Sequence, residues 1–206
     1  MRGDKISINF VYCILKHLYI MKRCAWPSND PLMMEYHDKE WGVPVHDDNK
    51  WFEFIVLDAF QAGLSWKTIL HKRENFREAL DGFAPEIISN YSEKKIQELL
   101  QNAGIVRNQL KIRSTITNAH AFLDIQKEFG SFSSYLWSFS EGKIIQNSWK
   151  EMSKIPARTE LSDRVSKALK KRGFKFVGST IVYSFLQSGG IVNDHTIDCF
   201  RYADLA

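Results

Sequence analysis

A chain of 206 residues, 44% of them hydrophobic and a quarter charged, is long enough to bury one sizeable core and too apolar to stay disordered. Its net charge of +4 permits an anionic partner without requiring one. Three cysteines, Cys13, Cys24 and Cys199, are too few and odd in number for a disulfide framework, and they point to a reducing compartment, by default the cytoplasm, or to a metal site.

The first twenty residues, "MRGDKISINFVYCILKHLYI", hold an apolar run that Lys16 and His17 interrupt. It falls short of the roughly 18 uninterrupted apolar residues that a membrane span requires. As a signal peptide it is poor, because a charge cuts its apolar centre and no A-x-A-like cleavage site follows. Met21 opens a segment of different character. Residues 1–20 are therefore read as an N-terminal extension or a misassigned start, and 21–206 as a single working domain without a membrane association.

From Met21 the chain predicts helix after helix. Asp30-Pro31 is a capping acid followed by a proline at the first helical position. Asp47 and Asp48 precede a run to Ala62, with Gly63 as its stop. Ser65 is placed to cap one helix over "WKTILHKRENFREAL", which ends before Gly82. Ser92 opens "SEKKIQELLQNA", where Ile96, Leu99 and Leu100 keep helical spacing and Gly104 closes the run. A long amphipathic stretch covers about 107–129. No segment alternates like a strand with a hairpin turn, so the fold class is all-α. There is no repeat, and the nearest thing to a linker is "NSWKEMSKIPARTELS" around Pro156. The size of the chain and the lack of a heptad seam favour a monomer.

The C-terminal part predicts a helix with Leu161, Val165, Ala168 and Leu169 on its apolar stripe, a short turn bounded by Gly173 and Gly178, and a second apolar helix over "STIVYSFLQSGG". Such a hairpin offers backbone N–H groups at the start of its second helix, with Lys170, Lys171, Arg172 and Lys175 around it, which suits a DNA phosphate. The alternative is a solvated basic face on an ordinary pair of helices.

Cys24 and His37 lie near the start of this domain, His195 and Cys199 near its end. Two nitrogen and two sulfur ligands suit tetrahedral Zn²⁺. His195 and Cys199 are expected to share a face across one helical turn, and Cys24 meets His37 if the first short helix folds back on the loop before it. Each residue taken singly fits a buried cysteine or a core histidine better than a ligand; four split between the two ends suggest one structural site that staples the termini.

The segment "FIVLDAFQAGLSWKTIL" places Asp58, Gln61, Ser65 and Trp66 in an otherwise apolar run. If it is helical, Asp58, Gln61 and Ala62 share a face, with Trp66 just after the Gly63 break. Taken alone, Trp66 fits a core aromatic and Asp58 a local cap.

The motifs "RCAW" (23–26), "YHDKEWGVP" (36–44), "QAGLSWKTILHKRENFR" (61–77), "LWSF" (136–139), "KALKKRGFKFVG" (167–178) and "NDHTIDC" (193–199) stand in the order of one family. From Met21 to about Cys199 the sequence resembles 3-methyladenine DNA glycosylase I, within the helix-hairpin-helix DNA glycosylase superfamily. The resemblance implies two helical lobes, with Cys24, His37, His195 and Cys199 holding one structural zinc. It implies excision of 3-methyladenine from alkylated double-stranded DNA. The expected base pocket is Trp26, Tyr36, Trp41, Asp58 and Trp66, with Asp58, Tyr36 and Trp66 nearest the chemistry. The DNA contacts are expected from Lys170, Lys171, Arg172, Gly173, Lys175 and Gly178.

A glycosylase holds its flipped base by hydrogen bonds to the edge and stacking on the face, which an acid, an amide and tryptophans can provide. No lysine occupies the hairpin position that serves bifunctional relatives as a Schiff-base nucleophile, implying hydrolysis without strand scission. The catalytic aspartate that many superfamily members place after the hairpin is thought to be missing from this family; Asp194, beside His195, is read as a local cap or a support for the metal ligand. The chain departs from some members in having Asp58 for glutamate and Phe60 for glutamine. Two other functions fit the same residues: a zinc-stapled helical module that binds damaged DNA without cutting it, and a glycosylase with an altered base range.

Overall fold

The computed structural model describes residues 21–205. The reading of residues 1–20, Cys13 included, lies outside the described residues. Among the described residues the architecture is helical, and no helix is long and apolar enough to cross a membrane.

Helix α1 (Pro31–Lys39) starts where Asp30 accepts the Met33 N–H, and α2 (Asp48–Gln61) where Asp47 accepts from Lys50. Every residue of α2 from Trp51 to Phe60 is buried, the mark of a helix enclosed on all sides. Trp51 packs edge-on against Phe185 and Phe52 against Phe122. A polar Asp58 in the middle of this helix therefore stands out.

The single helix expected over 66–80 is instead two. Ser65 caps α3 (Trp66–Leu70) as expected, but the chain then turns at His71 and Lys72, whose N–H groups reach back to Lys67 and Ile69. Helix α4 (Arg73–Ala79) follows, then a 3₁₀ turn at Asp81–Phe83. Ile69 and Leu70 before the bend and Phe76 after it all enter the core. A short α5 (Pro85–Ile88) was not foreseen; α6 (Glu93–Gln101), capped by Ser92, and the long α7 (Gln109–Phe129), capped by Asn108, were. Helix α8 (Phe132–Trp137) has its first N–H groups capped by Ser131 and by Asp48 of α2.

The expected helix pair is α9 (Glu160–Lys171) and α10 (Ser179–Ser188), and α11 (Arg201–Asp204) ends the chain. One small departure from an all-α fold is a parallel pair, β1 (Ile145–Gln146) with β2 (Val192–Asn193). Two residues per strand carry no alternation for a sequence to reveal.

Helix α2 packs against α3, α7, α8 and α10, while the segment of residues 22–45 meets the end of α10 and the C-terminal residues. The second contact is close: a Cβ at Gly189 would lie 2.0 Å from the Trp51 ring, and one at Gly190, whose φ is +73°, 2.4 Å from the Val43 backbone. Only glycine lets these segments meet.

Candidate active site and metal centre

The meeting of α1, the end of α2, α3 and α10 leaves a cleft of about 890 Å³. Trp26, Tyr36, Trp41, Asp58 and Trp66 all line it, together with Gln61 and Ser65. The Tyr36 ring lies 5.1 Å from that of Trp66 and 6.1 Å from Trp26, which in turn meets Trp41 at 5.2 Å. The Tyr36 hydroxyl donates to Ser188 Oγ over 3.1 Å, which holds the ring in place. Burial, with Asp58 close by, pushes the Tyr36 phenol well above its ordinary range, so it is a neutral donor.

Asp58 is 1% exposed. Its Oδ2 has no hydrogen-bond partner, and the indole N–H groups of Trp26 and Trp66 also lack one. Buried polar atoms are almost always satisfied, so three orphans around one cleft mark a surface shaped for a polar ligand. Burial alone lifts the Asp58 carboxyl well above the usual carboxylate range, because the charged form loses its hydration there.

Ala62 does not share the face of Asp58 and Gln61. It lies past the helix end, with ψ at 114°, and outside the cleft. Sequence reading also missed the opposite wall. Met152, Ile155 and Pro156, in the stretch taken as a linker, form an apolar side of the cleft. Tyr183, Gln187 and Ser188 of α10 complete it. Their helical spacing was visible but indistinguishable from that of core residues. Asp194 is neither a cap nor a support for a metal ligand: its carboxylate accepts from Asn147, Trp149, Tyr183 and Gln187, tying the cleft wall to the C-terminal segment.

Behind the cleft, Cys24, His37, His195 and Cys199 are all buried, with one donor atom each inside a mutual distance of 4.8 Å. The Cys199 sulfur lies 3.3 Å from His195 Nδ1 and 3.5 Å from His37 Nε2, and Cys24 Sγ is 3.6 Å from His195 Nδ1. Tetrahedral zinc with ordinary bond lengths sets neighbouring donors roughly 3.3–3.8 Å apart. The outer nitrogens are also engaged: His37 Nδ1 with Asp38 and His195 Nε2 with the Trp41 carbonyl. Both imidazoles thus turn a lone pair inwards. The Cys24 thiol beside it pulls the Cys199 thiol down, while Cys199 and burial push Cys24 up. This donor set fits a cation that takes both sulfurs as thiolates.

His195 and Cys199 do not come together through a helical turn. Residues 194–200 form a tight turn closed by the Cys199 N–H on the Thr196 carbonyl, which brings the side chains together at the same sequence spacing. Gly42, with φ of +80°, passes under His195, where a Cβ would sit 3.2 Å from Nε2.

The hairpin between α9 and α10 turns through Gly173 and Phe176, both at positive φ. Lys170, Lys171 and Lys175 are exposed, and α10 begins at Gly178 without a side-chain cap. Arg172 differs from these lysines: its guanidinium grips Glu128 through two bonds and lies over Phe129 and Tyr135. It braces the hairpin against α7 and is not a free cation.

The methyladenine glycosylase family matches residues 26–202. The chain is 48% identical over 182 residues to DNA-3-methyladenine glycosylase 1 of Escherichia coli (strain K12), covering 88% of this chain and 97% of that one. It superposes on a crystal structure of a 3-methyladenine DNA glycosylase I with a TM-score of 0.85 and 50% identity, over 87% of this chain and 98% of that one. The 3-methyladenine DNA glycosylase I of Staphylococcus aureus, solved for the structural basis of its 3-methyladenine recognition, gives a TM-score of 0.85 at 35% identity, over 88% and 97% of the two chains.

Proposed function

The chain belongs to the methyladenine glycosylase family, and from that premise we propose how its cleft works as a DNA-3-methyladenine glycosylase, a hydrolase of N-glycosyl bonds acting in base excision repair. The enzyme flips the damaged nucleotide out of alkylated double-stranded DNA and hydrolyses its glycosidic bond without cutting the strand. The observation that carries this reading is Asp58, a buried carboxyl whose Oδ2 has no hydrogen-bond partner and which lines a cleft walled by Trp26, Tyr36, Trp41 and Trp66. Phosphate binding alone requires neither feature.

3-Methyladenine is cationic while attached to the sugar, which weakens its glycosidic bond. Aromatic faces favour such a cation by about 0.5–2 kcal/mol. A cationic base next to Asp58 draws the carboxyl back to its charged form, and carboxylate and base then stabilise each other. The free indole N–H groups of Trp26 and Trp66 and the amide of Gln61 are available to the base edge. Tyr36, fixed by Ser188, packs between the tryptophans and sets their spacing. The aromatic walls exclude water from the base face.

The reading extends to the rest of the molecule. Cys24, His37, His195 and Cys199 hold one zinc, which supplies four bonds tying the two ends of the domain together. The α9–α10 hairpin receives a DNA phosphate through the N–H groups at the start of α10, with Lys170, Lys171 and Lys175 alongside and Gly173 and Gly178 allowing close approach. The protein acts as a cytoplasmic monomer, through a single domain that begins near residue 21, with residues 1–20 dispensable for folding and activity.

The test is the free base released from a duplex treated with a methylating agent. Release of 3-methyladenine with the strand left intact is expected. Tight duplex binding with no released base would replace this reading with a damage-binding module, and release of a different base would point to an altered range.

A further inference from the structure

One face of helix α7 touches both the end of α2, whose Asp58 and Gln61 line the base cleft, and the α9–α10 hairpin. Lys111 is 6% exposed. Its ammonium donates to the carbonyls of Phe60, at 2.8 Å, and Ala62, at 2.6 Å. These lie at the C-terminal end of α2, where carbonyls have outrun their helical partners and the helix presents negative charge. Just beyond them the chain swings through Gly63, at φ +80°, and delivers Ser65 and Trp66 to the cleft.

Two turns further along, Asn118 is 1% exposed. Its amide brackets one residue of the hairpin, donating to the Lys175 carbonyl over 3.1 Å and accepting the Lys175 N–H over 2.7 Å. A side chain that satisfies both backbone groups of one loop residue fixes that loop's height and rotation. A spacing of seven residues sets the two contacts about 10 Å apart along one helix face.

We propose that Lys111 and Asn118 are positioning residues. Lys111 sets the end of α2 that carries the base-binding groups, Asn118 sets the hairpin that receives the phosphate, and α7 holds one at a fixed distance from the other. Neither side chain lines the cleft, so each acts through the segment that it holds. A base is excised only if it reaches the cleft while its backbone sits on the hairpin, and α7 makes these two events geometrically compatible. The proposal rests on the glycosylase reading for its consequence in catalysis, but not for its consequence in binding.

The experiment compares the full-length parent with Lys111→Met, Lys111→Arg and Asn118→Leu, using free 3-methyladenine, followed by tryptophan fluorescence, and a methylated duplex as separate ligands. Lys111→Met is expected to weaken free-base binding about tenfold or more, with duplex affinity near the parent's. Lys111→Arg keeps a cation on the two carbonyls and recovers most of the base affinity. Asn118→Leu is expected to weaken duplex binding about tenfold and leave free-base affinity unchanged. Both Lys111→Met and Asn118→Leu lower the single-turnover excision rate.

The proposal is overturned if the variants lower only the melting temperature, with both affinities intact in the folded fraction. It is equally overturned if each variant weakens both ligands alike. If Lys111→Met does not fold, Lys111→Arg and Asn118→Leu decide the outcome. A parent that releases no base would sink the glycosylase reading, while the two binding measurements would still settle the roles of Lys111 and Asn118.

Discussion

His37 Nδ1 lies 2.8 Å from Asp38 Oδ1, and this contact turns Nε2 towards Cys199. Asp38 is itself gripped by the Arg23 guanidinium through three hydrogen bonds. The ring's tautomer and direction are therefore set from outside the cluster. Asp38→Ala is expected to lower metal affinity about 10- to 100-fold without removing a ligand. Competition against a chromogenic chelator measures it, and an unchanged affinity would mean that the ring is oriented by packing alone.

Metal removal acts on stability first. The cluster joins residues 24 and 37 to 195 and 199, so losing the ion loosens the contact between the domain's ends, while Asp58 and Trp66 keep their places in α2 and α3. Stripping the ion is expected to lower the melting temperature by about 10 °C, the equivalent of a few kcal/mol in a chain of this size. Cys199→Ser should do the same and should hold less than one equivalent of zinc. A melting temperature unmoved by chelation would deny the site its structural role.

On the hairpin, the four basic residues divide into two kinds. Lys170→Ala, Lys171→Ala and Lys175→Ala are expected to weaken duplex binding. Each should also reduce the slope of log affinity against log salt by about one for every phosphate that the variant no longer neutralises. Arg172→Ala breaks the bracing contact with Glu128, Phe129 and Tyr135 and should lower the melting temperature by a few degrees with a smaller change in salt slope. Titrations of duplex at several salt concentrations separate the two. Equal slopes for all four variants would put Arg172 on the DNA.

What the sequence disclosed and what it hid follow from the range of the signals. Caps are local: Asp30, Asp47, Ser65 and Ser92 each mark their helix start within a few residues. The metal cluster was legible because cysteine and histidine are chemically distinctive, even though the turn that joins His195 to Cys199 was misread. The break at His71–Lys72 was hidden, because no helix-breaking residue marks it. The apolar cleft wall at Met152, Ile155 and Pro156 was hidden too: its segment has loop composition, and only the tertiary fold brings it to the cleft that Asp58 also lines. Lys111 resembled any helical lysine until the α2 carbonyls were seen to surround it.

Phe60, one of the two departures from the family pattern, sits 1% exposed with its ring 4.7 Å from that of Phe76, and it does not line the cleft. The difference at this position therefore concerns the core. Phe60→Gln is expected to cost about 3–5 kcal/mol through the cavity and the buried amide, with the set of excised bases unchanged among the folded molecules. Denaturant unfolding and base release together check it; a changed base range would show that the α2 core shapes the cleft.

Asp58 is the departure that faces the cleft, and on the proposed function a cationic base there would set its charge state. Its carboxyl titrates well above the ordinary value, which lies near 4 in an unfolded chain. Between those two values the folded protein holds a proton that the unfolded chain has released, so the stability of the parent falls as pH rises through that window. Asp58→Asn carries no such proton. Its melting temperature should match the parent's below about pH 4 and exceed it increasingly towards neutral pH. Excision should move the opposite way, falling at least about 100-fold at neutral pH, because the amide cannot become the anion that faces the cationic base. A stability gain paired with a loss of activity is what a functional group kept at the expense of the fold produces. Parent-level excision by Asp58→Asn would remove the acid from the mechanism, and a loss of stability at neutral pH would return it to the core as a structural group.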